Sequence, residues 1–231
     1  IIPEDGRNVR SGVEIARSEG VRPAVASDGD AFLVAWSQAS PGTLTLMGRR
    51  LGADGAPIDA SPFVIAAGPT STDPDLAFDG TSYRLVWQLD DGDQGTREVR
   101  TLRLSPNGKP IGAPVTLASV RVSASPRIAC AQGRCAVVWH DVGNQTWGAS
   151  LAADGSIESA PALMFPDQPF PQYRHAISTA PSGYRLAWID GRAPQMHGYT
   201  SLLALEGPLA LVPATGAVSY THLTLPTSAL V

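Results

Sequence analysis

The sequence predicts an all-β chain folded as a β-propeller, with about four four-stranded blades preceded by half a unit. A segment ending in tryptophan is written four times, at Trp36, Trp87, Trp139 and Trp188, with spacings of 51, 52 and 49 residues. A period near fifty marks one supersecondary unit repeated about or along an axis. Gly 23, Pro 20 and only 16% charged residues, with no long 3.6-residue periodicity, describe strands and turns rather than helices. Finally, Asp54-Gly55, Asn107-Gly108, Asp154-Gly155 and Glu206-Gly207 recur in the second half of each unit. Such dipeptides between apolar runs mark hairpins, because Gly and Asn tolerate positive φ.

The units run 1–20 (a half), 21–68, 69–120, 121–170 and 171–216. The half unit carries Asp5-Gly6 and then Val13-Glu14-Ile15-Ala16, matching Asp54-Gly55 and Phe63-Val64-Ile65-Ala66. Each full unit opens thirteen residues before its Trp, with Pro23, Pro74, Pro126 and, as a departure, His175. The strand entering the Trp alternates. Phe32, Val34 and Trp36 share one face, as do Tyr83, Leu85 and Trp87; Cys135, Val137 and Trp139; and Tyr184, Leu186 and Trp188. The opposite face is also apolar near the Trp, at Ala35, Val86, Val138 and Ala187. Alternate side chains point to opposite faces, so such a strand needs cover on both sides, which neighbouring blades supply. A β-sandwich is the alternative fold, but it does not demand evenly spaced Trp. The four tryptophans are expected to be core, with Trp147, outside the register, the better candidate for exposure.

Residues 217–231 leave the pattern, and Val218 to Thr227 resemble the translation of a common sequencing adapter. They are set aside from fold and function. With the mid-unit start, they imply a fragment of a longer protein.

The order Pro, Val-Ala, Asp-Gly, aromatic, Leu-Val, Trp, then Gly48-Arg49-Arg50-Leu51, Ala-Asp-Gly and Pro-Ile resembles the fifty-residue propeller-like repeats of large secreted or lipid-anchored proteins from myxobacteria and related environmental bacteria. The resemblance covers residues 1 to about 216 and implies an architecture without fixing an activity.

The net charge of -4 gives no reason to expect a nucleic acid partner. Arg97, Arg100 and Arg103, with Glu98 among them, read as a solvated face. No run of eighteen apolar residues exists to span a membrane. Cys130 and Cys135 flank a Gln132-Gly133 turn and face each other if that turn closes a hairpin. A disulfide, a buried free pair and a two-Cys metal site are the alternatives, and the disulfide would place the chain in an oxidising compartment: secreted, periplasmic or on the outer cell surface. Asp90, Asp91 and Asp93, followed by Glu98, form the densest acidic run, a candidate for Ca²⁺ that lacks the complete loop spacing. Otherwise no cofactor is implied.

His140 and Asp141 follow one repeat Trp, and Asp190 follows the next, so they occupy equivalent places and are the candidate catalytic acid and base groups. For Asp141 and Asp190 the preferred reading is that they satisfy turn backbone donors. Two functional readings result. One is an extracellular or cell-surface binding scaffold contacting a protein or glycan partner. The other is a propeller hydrolase or lyase acting on carbohydrate. Oligomeric state is not legible.

Overall fold

The computed structural model describes residues 12–16, 20–40, 42–68, 71–90, 95–121, 124–166, 171–190 and 197–204. These form four antiparallel meanders and, among the described residues, no helix. The first sheet is β1 (Gly20–Ser27), β2 (Ala31–Ser40), β3 (Thr43–Gly52) and β4 (Phe63–Ala66); the second is β5 (Ser71–Phe78), β6 (Tyr83–Asp90), β7 (Thr96–Leu104) and β8 (Pro110–Arg121). β9 (Arg127–Ala131), β10 (Arg134–His140), β11 (Thr146–Leu151) and β12 (Ile157–Leu163) make the third, and β13 (Gln172–Ala180), β14 (Gly183–Asp190) and β15 (His197–Ala204) the described part of the fourth. Each sheet pairs its strands in sequence order. First strands adjoin first strands, β1 on β5, β5 on β9 and β9 on β13, so they form the inner wall and the sheets radiate outward as propeller blades. Of the half unit, residues 12–16 are described. No strand forms there, and the Ile15 carbonyl accepts a hydrogen bond from Arg49 at 2.7 Å.

The second strand of each blade is the buried one. In β6 and β10 nearly every residue is buried on both faces, whereas the outer β8 and β12 alternate or lie open. Leu33, Ala35 and Leu46 of the first sheet pack with Tyr83, Leu85 and Trp87 of the second. The reverse face of the second sheet, with Val86 and Val99, meets Cys135, Val137 and Trp139 of the third. Val138 and Ala136 of the third then meet Tyr184, Leu186 and Trp188 of the fourth. Three of the repeat indoles are thus wedged against the preceding blade, and all four, Trp36 included, are at most 3% exposed. None of their Nε1 groups has a hydrogen-bond partner, so these rings stabilise through area and fit alone, against roughly 1–3 kcal/mol for each unmet donor. In the fourth sheet the face opposite Trp188, at Arg185 and Ala187, is exposed. Trp147 is half-buried against the second interface and donates its Nε1 to Asp141 at 2.9 Å, so it plugs a gap rather than offering an open platform.

A polar latch reinforces the first two of these apolar contacts. The turn between the third and fourth strands docks on the preceding blade: Arg50 donates to Asn107 Oδ1 at 2.9 Å, and Arg103 to the Asp154 carbonyl at 2.9 Å. Arg103 is therefore an interblade tie and not part of a solvated face. Its companions Arg97 and Arg100 pair with Asp90 and Glu98. Arg84, only 1% exposed on the face opposite Trp87, donates to the Ala152 and Ala153 carbonyls of the same turn. Its charge is met by Asp79 at 2.6 Å. Burial opposes ionisation of that carboxyl, but the Ser82 and Thr81 amides and the Arg84 guanidinium outweigh it and hold its pKa at about 2.

The tip glycines are where this docking is tightest. Gly155 has φ +93°, and a Cβ there would lie 2.7 Å from Arg103 Cδ and 2.8 Å from Arg84 Nη1. Gly155→Ala should therefore lower stability by on the order of 2 kcal/mol. Gly80→Ala, with φ +100° but open space around it, should lose about 1 kcal/mol from backbone strain alone; urea denaturation of the two variants reads the difference.

Cys130 and Cys135 are opposed in the β9–β10 ladder and joined as a disulfide. The two-residue turn between them uses positive φ at Gln132 and Gly133, 53° and 76°, as tight hairpins require. A ring this short contributes roughly 2 kcal/mol. Reduction should lower the melting temperature by several degrees, an effect that Cys130→Ala/Cys135→Ala removes when scanned with and without reductant.

Candidate functional site

The residue just before each repeat Pro or His has the same unusual backbone. Arg22, Asp73, Ser125 and Arg174 have φ of 54°, 52°, 38° and 47°. Left-handed backbone is uncommon outside glycine and costs on the order of 1–3 kcal/mol when held in place. In β1, β5 and β13 it coincides with a slip in strand register, between Val21 and Ala24, Thr72 and Asp75, and Tyr173 and Ala176. Such bulges re-aim a side chain out of the sheet's two faces. Here they occur on the innermost strands. Gln88 secures one of them, accepting from the Ser125 amide at 3.1 Å while donating to Thr72.

Three of these residues, Arg22, Ser125 and Arg174, line a cavity of about 550 Å³, whose wall includes β9, β10 and β13 through Arg127, His140, Tyr173 and His175. Asn144 and Ile189 complete the lining. Asp73, the fourth bulge residue, forms an ion pair with Arg22. The cavity thus joins the first blade to the third and fourth across the inner wall.

His140 and His175 are the deepest polar groups in that wall, 5% and 7% exposed. His175 Nδ1 lies 2.7 Å from His140 Nε2, with ring centroids 4.0 Å apart and planes at 74°. One nitrogen must donate and the other accept, which requires at least one neutral ring. Burial pushes His140 down to about 4; Asp141 opposes that shift and Arg127 adds to it. Burial, then His140 and Arg127, drive His175 well below its ordinary value. The pair is therefore neutral at pH 7.

The sequence-chosen acids fare differently. Asp141 accepts from the Gly143 and Gln145 amides at 2.8 and 2.9 Å and from Trp147, so its carboxylate organises its own loop. The backbone of Asp190 pairs with Gln172 and His197, and its carboxylate lies outside the described residues. Asp90 pairs with Arg97 at 3.8 Å; Asp91 and Asp93 lie outside the described residues. Among the described residues no group of three or more His, Cys, Asp or Glu could hold a metal. His175 and the arginine set escaped the sequence reading. The signals were present: His in place of the repeat Pro, and a changing residue just before it.

No family model and no curated protein matches the chain. Solved structures share its fold. A thermostable family-43 glycoside hydrolase is similar over 87% of this chain and 76% of its own, with TM-score 0.57 and 12% identity. The α-L-arabinanase of Penicillium chrysogenum, complexed with arabinobiose, is similar over 79% of this chain (TM-score 0.57, 10% identity), and the α-L-arabinofuranosidase of Fusarium graminearum, complexed with an iminosugar inhibitor, over 85% (TM-score 0.58, 10% identity). The chain spans 62% of the former's length and 65% of the latter's. At these identities the likeness concerns the fold.

Between pH 6.5 and about 4 the unfolded histidines bind protons that the folded pair refuses. Stability should accordingly fall as pH drops through that window. Calorimetry from pH 7.5 to 4 should show the melting temperature declining, with a shallower decline in His140→Asn/His175→Asn.

Proposed function

We propose that this chain is a carbohydrate-directed propeller that takes a saccharide in its axial cavity. The cavity carries the reading: its volume suits a ligand, and it combines fixed donors and acceptors from Ser125, Asn144 and the His pair with the Tyr173 ring. An aromatic face with a polar rim suits a sugar, which has apolar ring faces and hydroxyl edges. The propeller glycoside hydrolases that share the fold support the same ligand class. Cleavage of a glycosidic bond ordinarily draws on two flanking carboxyl groups. Asp73, paired with Arg22, brings a carboxylate to the lining, and Asp190 follows the lining residue Ile189 in the chain. With His140, Asp190 is the part of the sequence-chosen set that this reading keeps.

A binding scaffold without turnover is the second reading. The observation favouring it is that Asp141 is committed to its own loop and that, among the described residues, no carboxylate lines the cavity. Both readings suit a secreted, periplasmic or surface location, which the disulfide supports.

Calorimetric titration with neutral arabino- and xylo-oligosaccharides and with oligogalacturonates, alongside an assay for released reducing ends, tests this. Binding should occur with at least one series and weaken at least tenfold in Tyr173→Ala. Product release lost in Asp73→Asn selects the hydrolytic form, and binding without release the scaffold. Failure of every saccharide to bind the folded protein overturns the proposal.

A further inference from the structure

The charge of the cavity says more about the ligand. Three guanidinium groups, Arg22, Arg127 and Arg174, belong to its lining, and they come from three different blades. Arg22 is countered by Asp73 and its side chain remains 62% exposed. Arg127 uses Nη1 on the Pro126 carbonyl at 2.7 Å. Among the described residues, neither Arg127 nor Arg174 has a carboxylate at ion-pair distance. Asp75, which interacts electrostatically with Arg127, is half-buried and accepts from the Ile128 amide at 2.9 Å. Asp141, beside His140, is taken up by its loop. The histidines contribute no charge at pH 7. Among the described side chains, the three arginines of the lining thus make one ion pair, Arg22 with Asp73, in a chain whose overall charge is -4.

Resting on the carbohydrate reading above, we infer that the axial cavity recognises an acidic saccharide, its carboxylate held by Arg127 and Arg174 beside Arg22 while its ring lies near Tyr173. A planar guanidinium matches a carboxylate through two parallel hydrogen bonds, and the charge makes each roughly twice as strong as a neutral one. Phosphate recognition more often recruits successive backbone amides at a helix N-terminus or Gly-rich nest; the described lining has no helix and consists of side chains on strands and their connections. The strained backbone supports the same inference. Arg22 and Arg174 occupy equivalent bulges in the first and fourth blades, so one local device delivers both cations to one cavity.

The experiment compares tri- and tetragalacturonate with arabinotriose, a sulfated trisaccharide and sodium sulfate, by calorimetry at 50 and 300 mM salt. The oligogalacturonates should bind at least tenfold tighter than arabinotriose and weaken as salt rises. Arg127→Met and Arg174→Met should each reduce uronate affinity tenfold or more, leaving arabinotriose unchanged and the melting temperature within a few degrees. Arg185→Met, exposed on the fourth blade, should change nothing. Equal binding of neutral and acidic trisaccharides overturns the acidic-sugar inference and leaves the carbohydrate reading standing. Tighter binding of the sulfated trisaccharide, or of free sulfate, overturns the carboxylate assignment. No saccharide binding at all removes both.

Discussion

The structure depends on one constraint: the strand that carries the repeat tryptophan in the second and third blades is buried on both faces and cannot be left half-covered. A sheet with one solvated side would strand Leu33 and Ala35, or Val86, or Val138, in water. The chain resolves this by giving those two strands a neighbour on each side, with Trp87, Trp139 and Trp188 each packed against the preceding blade. Because the four indole N–H groups are unpaired, the contact is non-directional and would tolerate sliding. The arginine latches remove that freedom. Arg50, Arg84 and Arg103 reach carbonyls or an amide oxygen on the tip of the next blade, and hydrogen bonds fix the register that hydrophobic contact leaves loose.

This division of labour also explains the placement of the site. The packed second strands and the latched turns lie away from the axis, so the inner strands can carry irregular backbone without weakening the blade contacts. Three of the four left-handed residues there, Arg22, Ser125 and Arg174, line the cavity, and the fourth, Asp73, pairs with Arg22. Their strain is offset by the regular ladders on either side and by specific ties such as Gln88 to the Ser125 amide. Cavity, charge and strain therefore occur together on the inner wall. The neutral histidine pair closes the same wall with a hydrogen bond that excludes a net charge from its depth.

Much of the architecture was legible in the residues. The tryptophan period, the two-faced apolar strands and the Asn-Gly and Asp-Gly tips are local signals, and each blade repeats them. The Cys130–Cys135 hairpin was equally readable, since the turn and both partners sit within six residues. The site was not. Arg22, the pair Arg127 and His140, and His175 belong to three different units, and nothing local says which of them share a wall. The bulge position was hidden because its residue type changes from Arg to Asp to Ser to Arg, whereas sequence comparison between units rewards sameness. Asp141 was legible for the opposite reason: an acid opening a turn suggests a backbone acceptor, and the Gly143 and Gln145 amides donate to it. Arg103 looked solvated because strand alternation alone cannot register a carbonyl arriving from the next blade.

The left-handed inner position has a consequence for how such an array can diversify. Its side chain is uncoupled from blade packing, so exchanging arginine for aspartate or serine there rewrites what the centre can grip and leaves the surrounding scaffold intact. Four such positions recur on a common frame, two of them, Arg22 and Asp73, coupled by an ion pair. Duplicated blades could therefore acquire new ligands by changing one residue each, which is the kind of variation a repeated fold can survive.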